Sequence, residues 1–406
     1  MTRERLKIAV VKPDYGVMGG FERLLERIVG LLIDEGHQVE EQALPALLWP
    51  RAVFGNSTAV RVWHDHTGFF TYTALVEDVR RLDLSRYDLV LSTQPPTFLV
   101  DHPRVLALFY HQARVFYDLS ERYSRMGEIT PRLHRIASEE VQEIDSTFVG
   151  NVKHWLAGSS ECSSRLAEYW SIPSARTSLL HAPALTEVPD DPPAWSPAGP
   201  VVCVSRHEWP KRTELLVATG HLLAARPGPV RPIEFIGTGG RLDFVRGLDE
   251  RIIEDPSLAS DPDPERFWMQ TVRGQQTRRT QPDGSPNRFL GNVSDDERNR
   301  SYAGASVVVA PAFREDYGLT ALEGMLWQRP VIVCRDGGGL VDLVEETGAG
   351  LVVDPTPKAL ADGVERILGD DQLRADILER AREVPHSFTW ARAAAELRYA
   401  VAATAS

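Results

Sequence analysis

The sequence predicts an α/β protein made of two doubly wound domains. Short apolar runs of strand length recur along the whole chain, with helical spacing between them. The alternation breaks at a proline-rich, polar stretch, PALTEVPDDPPAWSPAGP (183–200), and then restarts. Strands that alternate with helices imply parallel sheets covered on both faces, so the restart implies two such sheets.

In chain order, LKIAVV (6–11) reads as a buried strand and is followed by a glycine-rich turn, DYGVMGG. FERLLERIVGLLIDEGH then carries apolar residues at helical spacing and ends at Gly36. HQVEEQAL, YDLVLST (87–93), RVLALFY (104–110), VKHWLAGSS (152–160) and TSLLHAPA (177–184) read as further strands. Beyond 183–200 come VVCVSR (201–206), PIEFIGTGG (232–240), NRFLGNV (287–293), ASVVVAPAF (305–313), RPVIVCRDGGG (329–339) and GAGLVVDP (348–355), with helices such as TELLVATGHLLAA (213–225) between them. Residues 241–286 are too long and charged for a minimal unit. They are expected to hold a helix or two and a mobile arginine-rich part near 272–286. The expected division is 1–185, a linker 186–200, 201–385 with the 241–286 insertion, and a terminal helix 386–406.

Composition narrows the class. The 406 residues are 43% hydrophobic and 25% charged, ordinary for a chain with a sizeable core. The net charge of −12 gives nucleic acid or an anionic membrane no general attraction. Lysine is confined to Lys7, Lys12, Lys153, Lys211 and Lys358, an arginine bias that points to a GC-rich genome. Cys162, Cys203 and Cys334 have no metal or redox spacing, and the latter two sit in apolar runs that bury a thiol. The first residues lack the apolar run of a signal peptide, and no window approaches the roughly 18 apolar residues of a membrane span. A cytoplasmic, reduced protein is expected.

The chemistry centres on REDYGLTALEGM (314–325). A strand, its exit loop and a helix are expected there, which leaves the amides of Tyr317, Gly318, Leu319 and Thr320 in a first helical turn without intrahelical partners. Such a turn suits an anion, most readily a phosphate. Glu315 precedes it and Glu323 lies in the second turn, so two carboxylates flank it. A nucleotide sugar carries hydroxyls on both sides of its diphosphate, which fits that arrangement. Acidic residues near a helix start also suit its dipole, and Asp316 equally serves as an N-cap. Arg206, at a strand end, and Lys211, five residues on, offer cations for a diphosphate, or surface ion pairs. The first glycine turn, which includes Gly19 and Gly20, lets the backbone approach the same group from the other domain. It reads G-x-x-G-G, not the dinucleotide fingerprint G-x-G-x-x-G. His64, Asp65 and His66 read as a loop rather than a metal site, and no required metal or other cofactor is expected.

Together these elements resemble the retaining family-4 glycosyltransferases of the GT-B fold. The resemblance runs in order through GGFERLLERIVGLLIDEGHQV, LAGSSECSSRLAEYWSIP, SRHEWPKR, FIGTGG, FLGNVSD, EDYGLTALEGMLWQRPVIV, GGLVDLVEETGAGLVVDP and SFTWARAAAELRYAV. Tyr317 stands where the family usually has Phe, Asp342 where it usually has Glu, and the insertion is longer than expected. The resemblance implies two Rossmann-like domains facing across a cleft, with the last helix crossing back to the first domain. It implies sugar transfer from a nucleoside diphosphate donor to a hydroxyl with retention. Glu315 would contact the donor sugar, Glu323 the ribose, and Arg206 and Lys211 the departing diphosphate. Asp316 and the amides 317–320 would line the donor site. His111, after a strand in LALFYHQARVFYD, is similar to a family histidine near the donor sugar.

Two rivals share the fold: a nucleotide-sugar 2-epimerase and a non-catalytic nucleotide-binding scaffold. UDP-sugars are the first choice of donor and GDP-mannose the second. The expected acceptor is a small molecule or glycan, near Gly19, His111 and residues 60–75, where Trp63, Phe69, Phe70 and Tyr72 are core or sugar platform. Arginine-bearing amphipathic segments at 121–136 keep a peripheral membrane contact open without favouring it.

Overall fold

A computed structural model describes residues 5–405 except 17, 18, 47–65, 127, 128, 187, 262, 264, 271, 273 and 274. Trp63, His64 and Asp65 therefore lie outside the described residues. The chain divides into two compact units, one of residues 1–182 with 390–406 and one of residues 183–389.

The first unit is built on β1 (Lys7–Asp14), β2 (Gln38–Pro45), β3 (Leu89–Ser92), β4 (Val105–Phe109), β5 (Val152–Ala157) and β6 (Thr177–Leu179). Its helices are α1 (Gly20–Asp34), α2 (Thr67–Arg81), α3 (Ser120–Arg125), α4 (Pro131–Phe148) and α5 (Ser160–Trp170). The strands form one sheet in the order β2-β1-β3-β4-β5-β6, every pair parallel. β3 and β4 are buried along their whole length, which is why they read as unbroken apolar runs. The order reverses between β1 and β3, so the switch point of this sheet is the glycine turn after β1.

The second unit holds β7 (Val201–Val204), α6 (Thr213–Ala224), β8 (Ile233–Ile236), α7 (Leu242–Glu254), α8 (Glu265–Trp268), β9 (Asn287–Gly291), α9 (Asp295–Gly304), β10 (Val307–Ala310), α10 (Leu319–Leu326), β11 (Val331–Cys334), α11 (Gly339–Thr347), β12 (Gly350–Val353), α12 (Pro357–Gly369) and α13 (Asp371–Ser387). Its sheet, again all parallel, has the order β12-β11-β10-β7-β8-β9. Its switch point lies between β7 and β10. Both sheets match the twelve strands expected from the sequence, and each unit is a doubly wound α/β domain.

Two segments, 186–200 and the insertion, differ from their sequence reading. The described residues of 186–200 pack on the second unit: Trp195 donates its Nε1–H to the carbonyl of Ser306 at 2.8 Å, the Arg374 guanidinium lies over its ring, and Arg329 donates to the carbonyl of Pro193 at 2.5 Å. A tryptophan and buried arginine partners outweigh the proline content. The expected terminal helix is a single helix, α14 (Trp390–Ala405), which packs on the first sheet, while α13 ends at Ser387 in the second unit. Glu396 on α14 accepts from the backbone N–H of His181 and meets its Nδ1, both at 2.7 Å, and Arg398 pairs with Glu35 at 2.7 Å. In the insertion, the described arginine-rich residues lie against α7: Arg278 N–H donates to the Asp243 carbonyl at 2.8 Å, and Arg246 to the Arg279 carbonyl at 2.8 Å.

The aromatic residues of α2 belong to the core rather than a surface platform where they are most buried. Tyr72 and Tyr117 donate their hydroxyls to the two oxygens of Asp145, which is fully buried, and Trp170 donates to Tyr117 at 3.2 Å. Burial pushes the Asp145 carboxyl up to about 7 and holds both phenols above their ordinary range, with the Asp145 charge as the second cause.

The three cysteines are buried thiols, and burial pushes those of Cys203 and Cys334 up to about 12. Among the described residues no helix is long and apolar enough to cross a membrane.

Candidate functional site

The exit loops of β7 and β10 leave the sheet side by side, at the switch point where α/β sheets bind ligands. The β7 loop carries Lys211 and the β10 loop carries Glu315, 104 residues later. The Lys211 ammonium lies 2.7 Å from Oε1 and 2.6 Å from Oε2 of Glu315. Both side chains are about one-fifth exposed, so the pair is reachable from solvent yet poorly screened.

Two glycines set the path of the β10 loop. Gly318 is the N-cap of α10 at φ +99°, and a Cβ there would come within 2.6 Å of Leu340 Cδ2. Asp316, the expected cap, does not have that role: α10 starts one residue after Gly318 and has no side-chain cap bond, because the chain turns at the glycine. Gly338, at φ +61°, sits against the carbonyl of Glu315, which accepts the N–H of Gly339 at 2.8 Å. The N–H of Glu315 donates to Gly337 at 2.8 Å, so the loop pairs with the β11 exit like a short extra strand. Its glutamate is thus held at the backbone on both sides.

The first bond of α10 runs from Ala321 N–H to the Gly318 carbonyl, which leaves the amides of Leu319 and Thr320 without an intrahelical acceptor. Tyr317 and Gly318 are buried, and Asp316, Leu319 and Thr320 are half-buried. One turn on, Glu323 is buried and accepts the Tyr302 hydroxyl proton on Oε2 at 2.8 Å. Tyr302 is fully buried, and its burial, with the Glu323 charge beside it, holds the phenol well above its ordinary range. The phenol therefore stays a donor and aims the carboxylate. Tyr302 lies on α9, in NRSYAG, where nothing in the sequence marks it.

Arg206 sits at the β7 end, is exposed, and forms no ion pair with a described residue. His207 beside it is buried with Nδ1 2.9 Å from the Thr213 hydroxyl, and burial lowers it to about 4, so it stays neutral. Arg212 carries no distinguishing mark in the sequence, yet it is the buried arginine of the motif. It donates Nε–H to the Pro311 carbonyl at 2.7 Å, one terminal nitrogen to the Ala312 carbonyl at 3.2 Å, and both terminal nitrogens to Asp336 at 2.6 and 2.8 Å. Trp268, from the insertion, stacks near Trp209 and Phe313 with centroids 5.6 Å apart in each case. Arg241 in turn donates to the carbonyls of Gln270 and Trp268 and pairs with buried Glu214 at 2.7 Å. The insertion thus packs beneath the Lys211 loop.

In the first unit, Gly19 and Gly20 open α1 after β1, and the Gly19 N–H donates to Glu22 at 2.8 Å. His111 follows β4, is half-buried, and its Nδ1 lies 2.8 Å from the Gln112 carbonyl. That contact leaves Nε2 as the ring nitrogen available to another group. Among the described residues there is no cluster of three or more His, Cys, Asp or Glu able to hold a metal ion.

Residues 287–384, which span β9 to α13, match the family described as Glycosyl transferases group 1. A D-inositol 3-phosphate glycosyltransferase of Corynebacterium glutamicum is 40% identical over 111 residues, 27% of this chain and 26% of the relative. An uncharacterized glycosyltransferase of Methanocaldococcus jannaschii is 36% identical over 110 residues, 27% of this chain and 28% of the relative. The match thus spans about a quarter of the length of these curated relatives. Likeness over the whole chain appears in the fold. Sucrose-phosphate synthase from Thermosynechococcus elongatus has a TM-score of 0.65 at 18% identity, covering 97% of this chain and 98% of that one. Anabaena HepE in complex with UDP-glucose has a TM-score of 0.63 at 15% identity, covering 98% and 100%. The matched segment contains Glu315, Glu323, Tyr302 and Asp336, whereas Arg206, Lys211 and Arg212 precede it.

Proposed function

We propose that the protein is a retaining glycosyltransferase that moves a hexose from a nucleoside diphosphate sugar to a hydroxyl of a small-molecule or glycan acceptor. The observation that carries this reading is the pair of carboxylates around the first turn of α10, one locked to Lys211 and one aimed by Tyr302. A UDP-sugar is the first choice of donor, supported by the UDP-glucose complex of a protein with the same fold. GDP-mannose is the second.

In the reaction, the bond from the anomeric carbon to the diphosphate oxygen breaks, and a bond to the acceptor oxygen forms on the same face. The acceptor proton passes to the leaving phosphate oxygen, so no side-chain nucleophile is required. Lys211 and Arg206 neutralise the diphosphate as its charge grows. The amides of Tyr317, Gly318, Leu319 and Thr320, next to Asp316, cradle it. Glu315 takes a hydroxyl of the donor sugar, and Glu323 takes the ribose. Gly19 and Gly20 admit the backbone to the diphosphate, and His111 orients a sugar hydroxyl. No metal is required, since Lys211 and Arg206 supply the positive charge, and the reaction takes place in the cytoplasm.

Thermal unfolding with UDP, GDP, ADP, TDP and NAD, each without metal, tests the donor class. A ligand at about 100 times its dissociation constant adds roughly 2.7 kcal/mol. Stabilisation by one nucleoside diphosphate supports the reading, and stabilisation by NAD alone or by none removes it. Product analysis then separates the chemistries. Nucleotide released only with acceptor present is transfer, and isomerised donor is epimerisation.

A further inference from the structure

We propose that Arg212 is a positioning residue that acts through Lys211 and Glu315 by tying the exit loops of β7, β10 and β11 into one unit. The inference deepens the donor-site reading and rests on it. Four donor contacts leave one guanidinium: one each to Pro311 and Ala312, at the start of the Glu315 loop, and two to Asp336, at the exit of β11. The same Asp336 accepts the N–H of Arg314 at its carbonyl, at 2.8 Å, and the next residue accepts the N–H of Glu315. Arg212 itself is joined by a peptide bond to Lys211. The Lys211–Glu315 contact is therefore linked to this side chain through the Lys211–Arg212 peptide bond on one side and through Asp336, Arg314 and Gly337 on the other.

The demands on the residue are specific. Two carbonyls and a bidentate carboxylate need several N–H groups in a planar fork, which lysine cannot offer. The guanidinium also lies 5.2 Å from the Trp268 ring centre and 5.5 Å from that of Phe313, so aromatic rings hold its plane. The backbone at Arg212 is left-handed, with φ +52°, a conformation an arginine rarely adopts. That turn sends the Arg212 side chain into the unit while Lys211 stays at the surface. Full burial of an arginine is sustained only by such complete pairing.

The test is calorimetric titration of UDP and of GDP into the wild type, Asp336→Asn, Lys211→Met and the double variant. Asp336 is one-third exposed, so Asp336→Asn keeps the shape of the loop while it removes the charge that holds the fork. Asp336→Asn is expected to weaken the nucleotide that binds by about tenfold in the wild-type background and by less than about twofold once Lys211 is gone, because it acts through Lys211. The drop in melting temperature should be the same in both backgrounds. Arg212→Lys should weaken the nucleotide as Asp336→Asn does, since an ammonium cannot replace the fork. Wild-type binding of neither nucleotide would remove the donor reading and this proposal with it. Binding by the wild type with an unchanged affinity in Asp336→Asn would overturn this proposal alone. So would a tenfold loss that persists in the Lys211→Met background, or an Asp336→Asn variant that does not fold, since either makes Arg212 a part of the fold only.

Discussion

Lys211 and Glu315, far apart in the chain, meet through one ammonium and both oxygens of one carboxylate at 2.6 and 2.7 Å. In the proposed reaction both groups have other work, Lys211 on the diphosphate and Glu315 on the sugar. A donor offers substitutes for both at once: phosphate oxygens for the ammonium and a hydroxyl for the carboxylate. A nucleoside diphosphate without its sugar offers only the first and leaves a carboxylate facing an anion.

Glu315→Gln is therefore expected to bind UDP more tightly than the wild type, by about three- to tenfold, since the competing charge is gone. Its turnover should fall by about a hundredfold or more, as the interaction with the reacting sugar is lost. Calorimetry with UDP and steady-state rates with the donor sugar check the two halves. Tighter binding with unchanged turnover would remove Glu315 from the reaction.

Tyr302→Phe should weaken nucleotide binding by about three- to tenfold and lower stability by about 1–2 kcal/mol, because the buried Glu323 carboxylate loses the Tyr302 hydroxyl bond that aims it. If Glu323 binds the ribose, the loss should vanish for a nucleotide that lacks the 2′- and 3′-hydroxyls. Binding isotherms for UDP and its dideoxy form in both proteins decide the point. An equal loss for both nucleotides would place Glu323 away from the ribose.

Gly318→Ala should cost about 1–3 kcal/mol, since the left-handed turn and the contact with Leu340 both oppose a Cβ. Nucleotide affinity should fall along with it, as the start of α10 shifts. Urea unfolding and UDP titration measure these, and a neutral substitution would mean that the loop tolerates another path.

Asp145 gives a pH dependence of defined sign. Its carboxyl is at about 7 in the folded chain against an ordinary 3.8, so the folded state holds the proton more tightly. The corresponding stability is fully present below about pH 4 and is lost as pH rises through 7. Relative to Asp145→Asn, the wild type should lose about 2 kcal/mol between pH 5 and pH 7, at about 1.4 kcal/mol per unit. Urea midpoints of the two proteins at both pH values test it, and parallel curves would mean that the carboxyl is ionised throughout.

The sequence by itself determined the layout of the sheets. All twelve strands lie where the sequence places them: central strands such as β3 and β4 are apolar along their length because both faces are buried, whereas the edge strand β2 is polar and largely exposed. It also marked Glu315, Glu323 and Lys211, since residues at strand exits and helix starts are set by local chain geometry. What it did not hold was the partner of each group. Arg206 and Arg212 look alike in SRHEWPKR, yet one is exposed and the other fully buried. The difference comes from the left-handed turn at Arg212 and from Pro311, Ala312 and Asp336, about 100 to 124 residues away. Tyr302 stands in a polar helix with no local signal, and only the packing of α9 beside α10 brings its hydroxyl to Glu323. Trp195 likewise makes a packed segment of what reads as a linker. Local spacing determines elements, because they form from neighbours in the chain. The pairing of buried charges and donors was decided by the tertiary structure, because burial penalises each unpaired group and its partner comes from a distant strand exit or helix.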